Sequence, residues 1–117
     1  MSGYLTTHVL DTGRGTPGRG IKIALYRVTD GGRDKVADAV TNDDGRTDGP
    51  ILPEAAFETG TYELVFHAGD YLRATGAAGA EPLFLDEIPI RFGMAEESHY
   101  HVPLLLSAYG YSTYRGS

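Results

Sequence analysis

"SHYHVPLLLS" (98–107) decides the fold. Tyr100, Val102, Leu104 and Leu106 take every second position, and His99, His101, Pro103 and Leu105 fill the positions between them. Successive side chains of a β-strand point to opposite faces of its sheet, so this stretch reads as a strand with one wholly apolar face. That face packs inward against a second layer. The two histidines, the proline and the remaining leucine then lie on an outer face. Apolar residues on an outer face point to a subunit interface.

The same alternation recurs along the chain. "YLTTHVLD" (4–11) puts Leu5, Thr7 and Val9 on one face and Thr6, His8 and Leu10 on the other. "IKIALYRV" (21–28) alternates Ile21, Ile23 and Leu25 against Lys22, Ala24 and Tyr26. "TYELVFHA" (61–68) and "DEIPIRFGM" (86–94) are further strands, and "KVADAVT" (35–41) is a weaker one. "YGYSTYRGS" (109–117) reads as a last strand after a tight turn at Ala108-Tyr109-Gly110. Between them, "TGRGTPGRG" (12–20) and "NDDGRTDGP" (42–50) are loops, and "TDGGRD" (29–34) is a hairpin-type turn. The one short helical stretch is "GDYLRATG" (69–76), with Gly76 placed to be its C′ residue. Strands at this spacing predict an antiparallel β-sandwich of seven or eight strands in one domain, 1–117. Pro89 and Pro103 fall inside strands and cannot donate to a ladder, so edges or bulges are expected there.

Composition narrows the function classes. With 117 residues the chain can bury one core without staples. It has no cysteine, which removes disulfides and thiolate metal sites. Its net charge is −6, from 10 basic and 16 acidic residues. That balance argues against a nucleic-acid binder or a protein of anionic membrane surfaces. No apolar run approaches the roughly 18 residues of a membrane span. "MSGYLTTHVLD" lacks the basic and apolar regions of a secretory signal, so a cytoplasmic protein is expected, a processed periplasmic form being the other case.

Four histidines carry most of the chemical interest. Alternation sets His8 and His101 on outer faces, where partial desolvation at an interface would leave imidazoles titrating near neutrality. His67 and His99 read as surface histidines. His99-x-His101 with His8 is the rival metal-site reading, but no carboxylate or cysteine stands at a spacing that completes it. "TGRGTPGRG" lacks the lysine and the following helix of a phosphate loop. "NDDGRTDG" lacks the ligand spacing and closing glutamate of a calcium loop.

Three stretches together resemble the transthyretin-related 5-hydroxyisourate hydrolases: "LTTHVLDTGRGTPGRGIKIALYRV", "TNDDGR" and "YHVPLLLSAYGYSTYRGS". The terminal Tyr-Arg-Gly-Ser separates these enzymes from hormone-carrying transthyretins. Ala108 departs from the family's usual proline. The resemblance implies a transthyretin-like all-β sandwich with one short helix at 70–75. It also implies a homotetramer built as a dimer of dimers, with sites in a channel between outer faces. The implied reaction is cofactor-independent hydrolysis of 5-hydroxyisourate to 2-oxo-4-hydroxy-4-carboxy-5-ureidoimidazoline, with no metal.

The resemblance also distributes roles. It implies that His8 and His101 move protons. Arg46 holds the substrate and stabilises the developing oxyanion. Tyr114 orients the substrate, Arg115 binds it or holds a subunit contact, and Ser117 supplies a hydroxyl and the chain's carboxylate. A carrier of small aromatic ligands in the same channel is the alternative.

Overall fold

The computed structural model describes residues 3–116. Eight strands form two four-stranded sheets. The first sheet orders β2 (Thr16–Pro17), β1 (Tyr4–Asp11), β7 (His99–Ser107) and β8 (Gly110–Thr113). The second orders β4 (Gly32–Val40), β3 (Lys22–Thr29), β5 (Gly60–His67) and β6 (Glu87–Met94). The eight-stranded, two-sheet sandwich is the architecture expected, and all neighbouring strands are antiparallel except β1 and β7, which run parallel. The glycine-rich stretch 12–20 is not all loop: Thr16 and Pro17 pair with Asp11 and Leu10.

The alternation read from sequence is the burial pattern of β1 and of β7, where Pro103 departs from it by being buried. Leu5, Val9, Tyr100, Val102, Leu104 and Leu106 turn inward and meet Ile23, Leu25, Tyr62, Leu64, Phe66 and Ile88 from the second sheet. Thr7 is buried among them without loss, because its hydroxyl donates to the Val102 carbonyl at 2.7 Å. On the far face of the second sheet, buried Glu63 on β5 accepts from Arg33 on β4, two strands away, and from Arg91 on the neighbouring β6.

The helix α1 (Ala68–Ala74) closes one end of the sandwich. Asp70 in its first turn and Arg73 in its last complement the helix dipole. Gly76 takes φ 75° as its C′ residue, as expected, and the Thr75 N–H donates to the Tyr71 carbonyl at 3.0 Å. Tyr71 docks the helix on β1, its hydroxyl donating to the buried Asp11 carboxylate at 2.7 Å.

The two prolines have separate explanations. Pro89 lies in β6, an edge strand, as expected. Pro103 lies in β7, an interior strand. There β8 stops pairing at Thr113, opposite Leu104. Pro103 has no N–H to offer, and its carbonyl instead accepts from the Thr113 hydroxyl at 2.7 Å. Pairing resumes in the same register at His101 and Gly116. The last strand is therefore shorter than the sequence suggested, interrupted where the proline cannot support the ladder.

Candidate active site

The parallel pairing of β1 and β7 builds the site. Tyr4 stands beside His99, Thr6 beside His101, and His8 beside Pro103. Because both strands run the same way, their outward residues form two aligned rows. His8 and His101 are diagonal neighbours across those rows. Their rings lie 5.1 Å apart at 17°, with His8 Nδ1 2.9 Å from His101 Nε2. The other ring nitrogen of His101, Nδ1, is 2.8 Å from Thr6 Oγ1.

Arg46 reaches this face through a local turn. The Asn42 side-chain oxygen accepts from the N–H groups of Asp44 and Arg46 at 2.9 and 3.1 Å, a short polar side chain standing in for a backbone turn. Gly45 then takes φ 74°, and a Cβ there would run into the Val9 carbonyl. Its own carbonyl accepts from the Val9 N–H at 2.8 Å, which bridges Arg46 to His8 along the edge of β1. This is why "NDDGR" needs both its Asn and its Gly.

The C-terminal segment closes the site from the β8 side. The Gly116 N–H donates to the His101 carbonyl at 2.7 Å. A Cβ on Gly116 would sit 2.9 Å from His101 Cδ2, so only glycine lets the chain lie against this ring.

The electrostatics follow from position. Burial, then the Arg46 cation, lowers His8 below its ordinary 6.5. His101 is lowered to about 4, by burial first, then by His8, Arg46 and His99. Both imidazoles are therefore neutral at pH 7. The pair can accept a proton, and Arg46 offers a fixed positive charge to a developing anion beside it.

Of the residues expected at the site, His8, Arg46 and His101 come together. Register sets Tyr114 opposite Pro103, the neighbour of His8 on the outer face, and its side chain is 58% exposed. Arg115 does not join them. Its guanidinium packs on the inner side, 4.2 Å from the centre of the Tyr100 ring, and its Nη2 lies 3.4 Å from Ser98 Oγ. Adjacent positions of an extended chain face opposite ways, which puts Arg115 on the Tyr100 side, still exposed, when Gly116 faces His101. Ser117 lies outside the described residues.

Two residues were missed. Thr6 bonds to both His101 and His99, with His99 Nε2 at 2.7 Å. His99, read as a surface histidine, stacks on Tyr4 at 4.2 Å and 7°. A signal was present: Thr6, His8, His99 and His101 all share the outward phase of their strands. His67 stays apart on β5, 3.7 Å from Glu87. Both ring nitrogens of His101, and Nε2 of His99, lie within hydrogen-bond distance of Thr6 or His8.

Comparison with known proteins places this geometry. Residues 5–116 match the model of the HIUase/Transthyretin family. The chain belongs to that family. A 5-hydroxyisourate hydrolase 2 of Rhizobium meliloti is 61% identical over 117 residues, covering 99% of this chain and 98% of the relative. The crystal structure of an (S)-allantoin synthase superposes with a TM-score of 0.92 at 46% identity. It covers 99% of this chain, which spans only 44% of that longer chain. Sea bream transthyretin, solved with thyroxine, superposes with a TM-score of 0.86 at 28% identity, covering 96% of this chain and 93% of its own. The proteins it resembles thus include a 5-hydroxyisourate hydrolase and a transthyretin solved with thyroxine.

Proposed function

We propose that this chain hydrolyses 5-hydroxyisourate to 2-oxo-4-hydroxy-4-carboxy-5-ureidoimidazoline. The observation that carries the reading is the hydrogen-bonded His8–His101 pair beside Arg46, in a chain 61% identical to a 5-hydroxyisourate hydrolase. The reaction adds water to a ring acyl carbon and expels a ring nitrogen. The histidine pair takes the proton from water and returns one to the leaving nitrogen. Positioned proton transfer of this kind contributes about 10²–10⁴-fold. Arg46 holds the substrate oxygens through its fork of donors and stabilises the oxyanion. Tyr114 supplies a ring and hydroxyl for orientation. Arg115 anchors the C-terminal segment on Tyr100, which keeps Gly116 on His101.

The same reading includes a homotetramer. Among the described residues β8 pairs only with β7, so its outer edge is open to the β8 of a second copy, with Tyr111 46% exposed beside it. Outer faces of paired dimers then meet over His8 and His101. Gel filtration tests this: a stable monomer with full activity would contradict it.

The carrier reading is the weaker one. An apolar ligand channel has no use for imidazoles already bonded to each other and to a hydroxyl. The deciding experiment follows freshly generated 5-hydroxyisourate by absorbance. Decay at the buffer rate in the presence of folded protein would sink the hydrolase reading.

A further inference from the structure

Thr6 has one hydroxyl proton and two histidine partners. It lies 2.7 Å from His99 Nε2 and 2.8 Å from His101 Nδ1. It can donate to only one of them, and when it does it accepts from the other. That constraint passes along the row, because His101 Nε2 meets His8 Nδ1 at 2.9 Å. If Thr6 donates to His101, then His101 carries its proton on Nε2 and donates to His8, whose proton is forced to its own Nε2. His99 must then donate to Thr6 from Nε2. If Thr6 donates to His99, every bond reverses and all three rings carry Nδ1–H. With neutral rings, these are the two arrangements in which Thr6 donates within the row, and in each the three histidines share one tautomer; in a third, Thr6 accepts from both rings, His99 carries Nε2–H against Nδ1–H on His8 and His101, and the row is broken at Thr6.

We propose that Thr6 and His99 extend the His8–His101 pair into a proton relay and act as its positioning residues. In the Nδ1–H arrangement the free Nε2 of His8 is a lone pair aimed away from the relay. It takes a proton from water as the water oxygen bonds to the acyl carbon. His8 Nδ1 passes its proton to His101 Nε2, and His101 Nδ1 passes one to Thr6 Oγ1. Thr6 passes its own to His99 Nε2. One proton has entered and the positive charge has moved to His99, with hydroxide equivalent added to the substrate. Reversal delivers the proton from His8 Nε2 to the leaving ring nitrogen and restores the starting arrangement.

The geometry gives a reason for moving the charge. Arg46 faces His8 and His101, and a cation there opposes a second positive charge on either ring. His99 lies one row further along, stacked on the face of Tyr4, a favourable place for an imidazolium. Among the described residues, the titratable and charged groups around the relay are Tyr4 and His8 from β1, His99 and His101 from β7, and Arg46 from the loop. A histidine pair alone would keep the charge beside Arg46.

The relay rests on the hydrolase reading for its substrate, but not for its test. Nitrogen-15 NMR of histidine-labelled protein at pH 7.5 reads the tautomers directly. The relay requires His8, His99 and His101 to show the same tautomer, or the same averaged fraction of each; a mixed set overturns it, whatever the substrate. The kinetic arm uses 5-hydroxyisourate. Thr6→Val should lower kcat about 10–100-fold with KM within about twofold, and Thr6→Ser should recover most of it. His99→Phe keeps the stack on Tyr4 but removes the nitrogens, and should match Thr6→Val. The double variant should be no slower than either single one. Wild-type rates in Thr6→Val, or losses that multiply in the double variant, would overturn the relay.

Discussion

Gly116 lies directly against His101. Its N–H holds the His101 carbonyl at 2.7 Å, and its Cα leaves no room for a methyl group before the imidazole. Gly116→Ala should therefore shift the ring or lift the terminus. We expect kcat to fall at least about 10-fold, as a displaced proton-transfer group implies. Circular dichroism and the melting temperature should stay near wild type, since the segment adds little to the core. Full activity in Gly116→Ala would show that the terminus does not position His101.

Arg46 has two separable effects. Arg46→Gln removes the oxyanion donor and should cost about 10²–10³-fold in kcat. It also removes a cation that lowers both histidines, so the acidic limb of the kcat/KM profile should move up toward 6.5. Arg46→Lys keeps the charge but loses the planar fork, so the limb should stay while the rate falls. A limb that does not move in Arg46→Gln would contradict the placement of the cation beside the pair.

The histidine pair makes the fold acid-sensitive with a definite sign. An unfolded histidine takes a proton at its ordinary 6.5, whereas folded His101 waits until about 4. Between those values the unfolded chain binds more protons. Stability therefore falls as pH drops through that window and is unaffected above it. Thermal unfolding from pH 7 to 4.5 should show a shallower loss for His101→Gln than for wild type. Identical slopes would contradict the burial of His101.

Tyr71 and Asp11 test the helix attachment away from the site. Tyr71→Phe removes the 2.7 Å bond to a carboxylate that is 3% exposed. Asp11 keeps only the Arg14 N–H at 3.1 Å among the described bonds to it. The variant should lose about 1–3 kcal/mol in denaturant unfolding with kcat unchanged.

Much of this was legible in the sequence because period-two alternation fixes faces. It placed Leu5, Val9, Val102 and Leu104 inside and His8 and His101 outside. It could not show that β1 and β7 run parallel, since a strand's pattern reads alike for either direction of its neighbour. That direction is what aligns Thr6 with His101 and Tyr4 with His99, so the longer cluster stayed hidden. Asp11 gave no signal either: a carboxylate on the inward phase of a strand needs a partner 60 residues away, Tyr71, to be tolerable. Arg115 was expected at the substrate or, from strand alternation, in a subunit contact; within the chain its guanidinium lies over Tyr100.

The most direct test of the hydrolytic centre is the decay of freshly generated 5-hydroxyisourate with wild-type protein and with folded His101→Asn. Wild type should accelerate the decay well above buffer, and His101→Asn should lose at least about 10²-fold of that acceleration. No acceleration by wild type, or equal rates for the two proteins, would contradict a hydrolytic centre at His8 and His101.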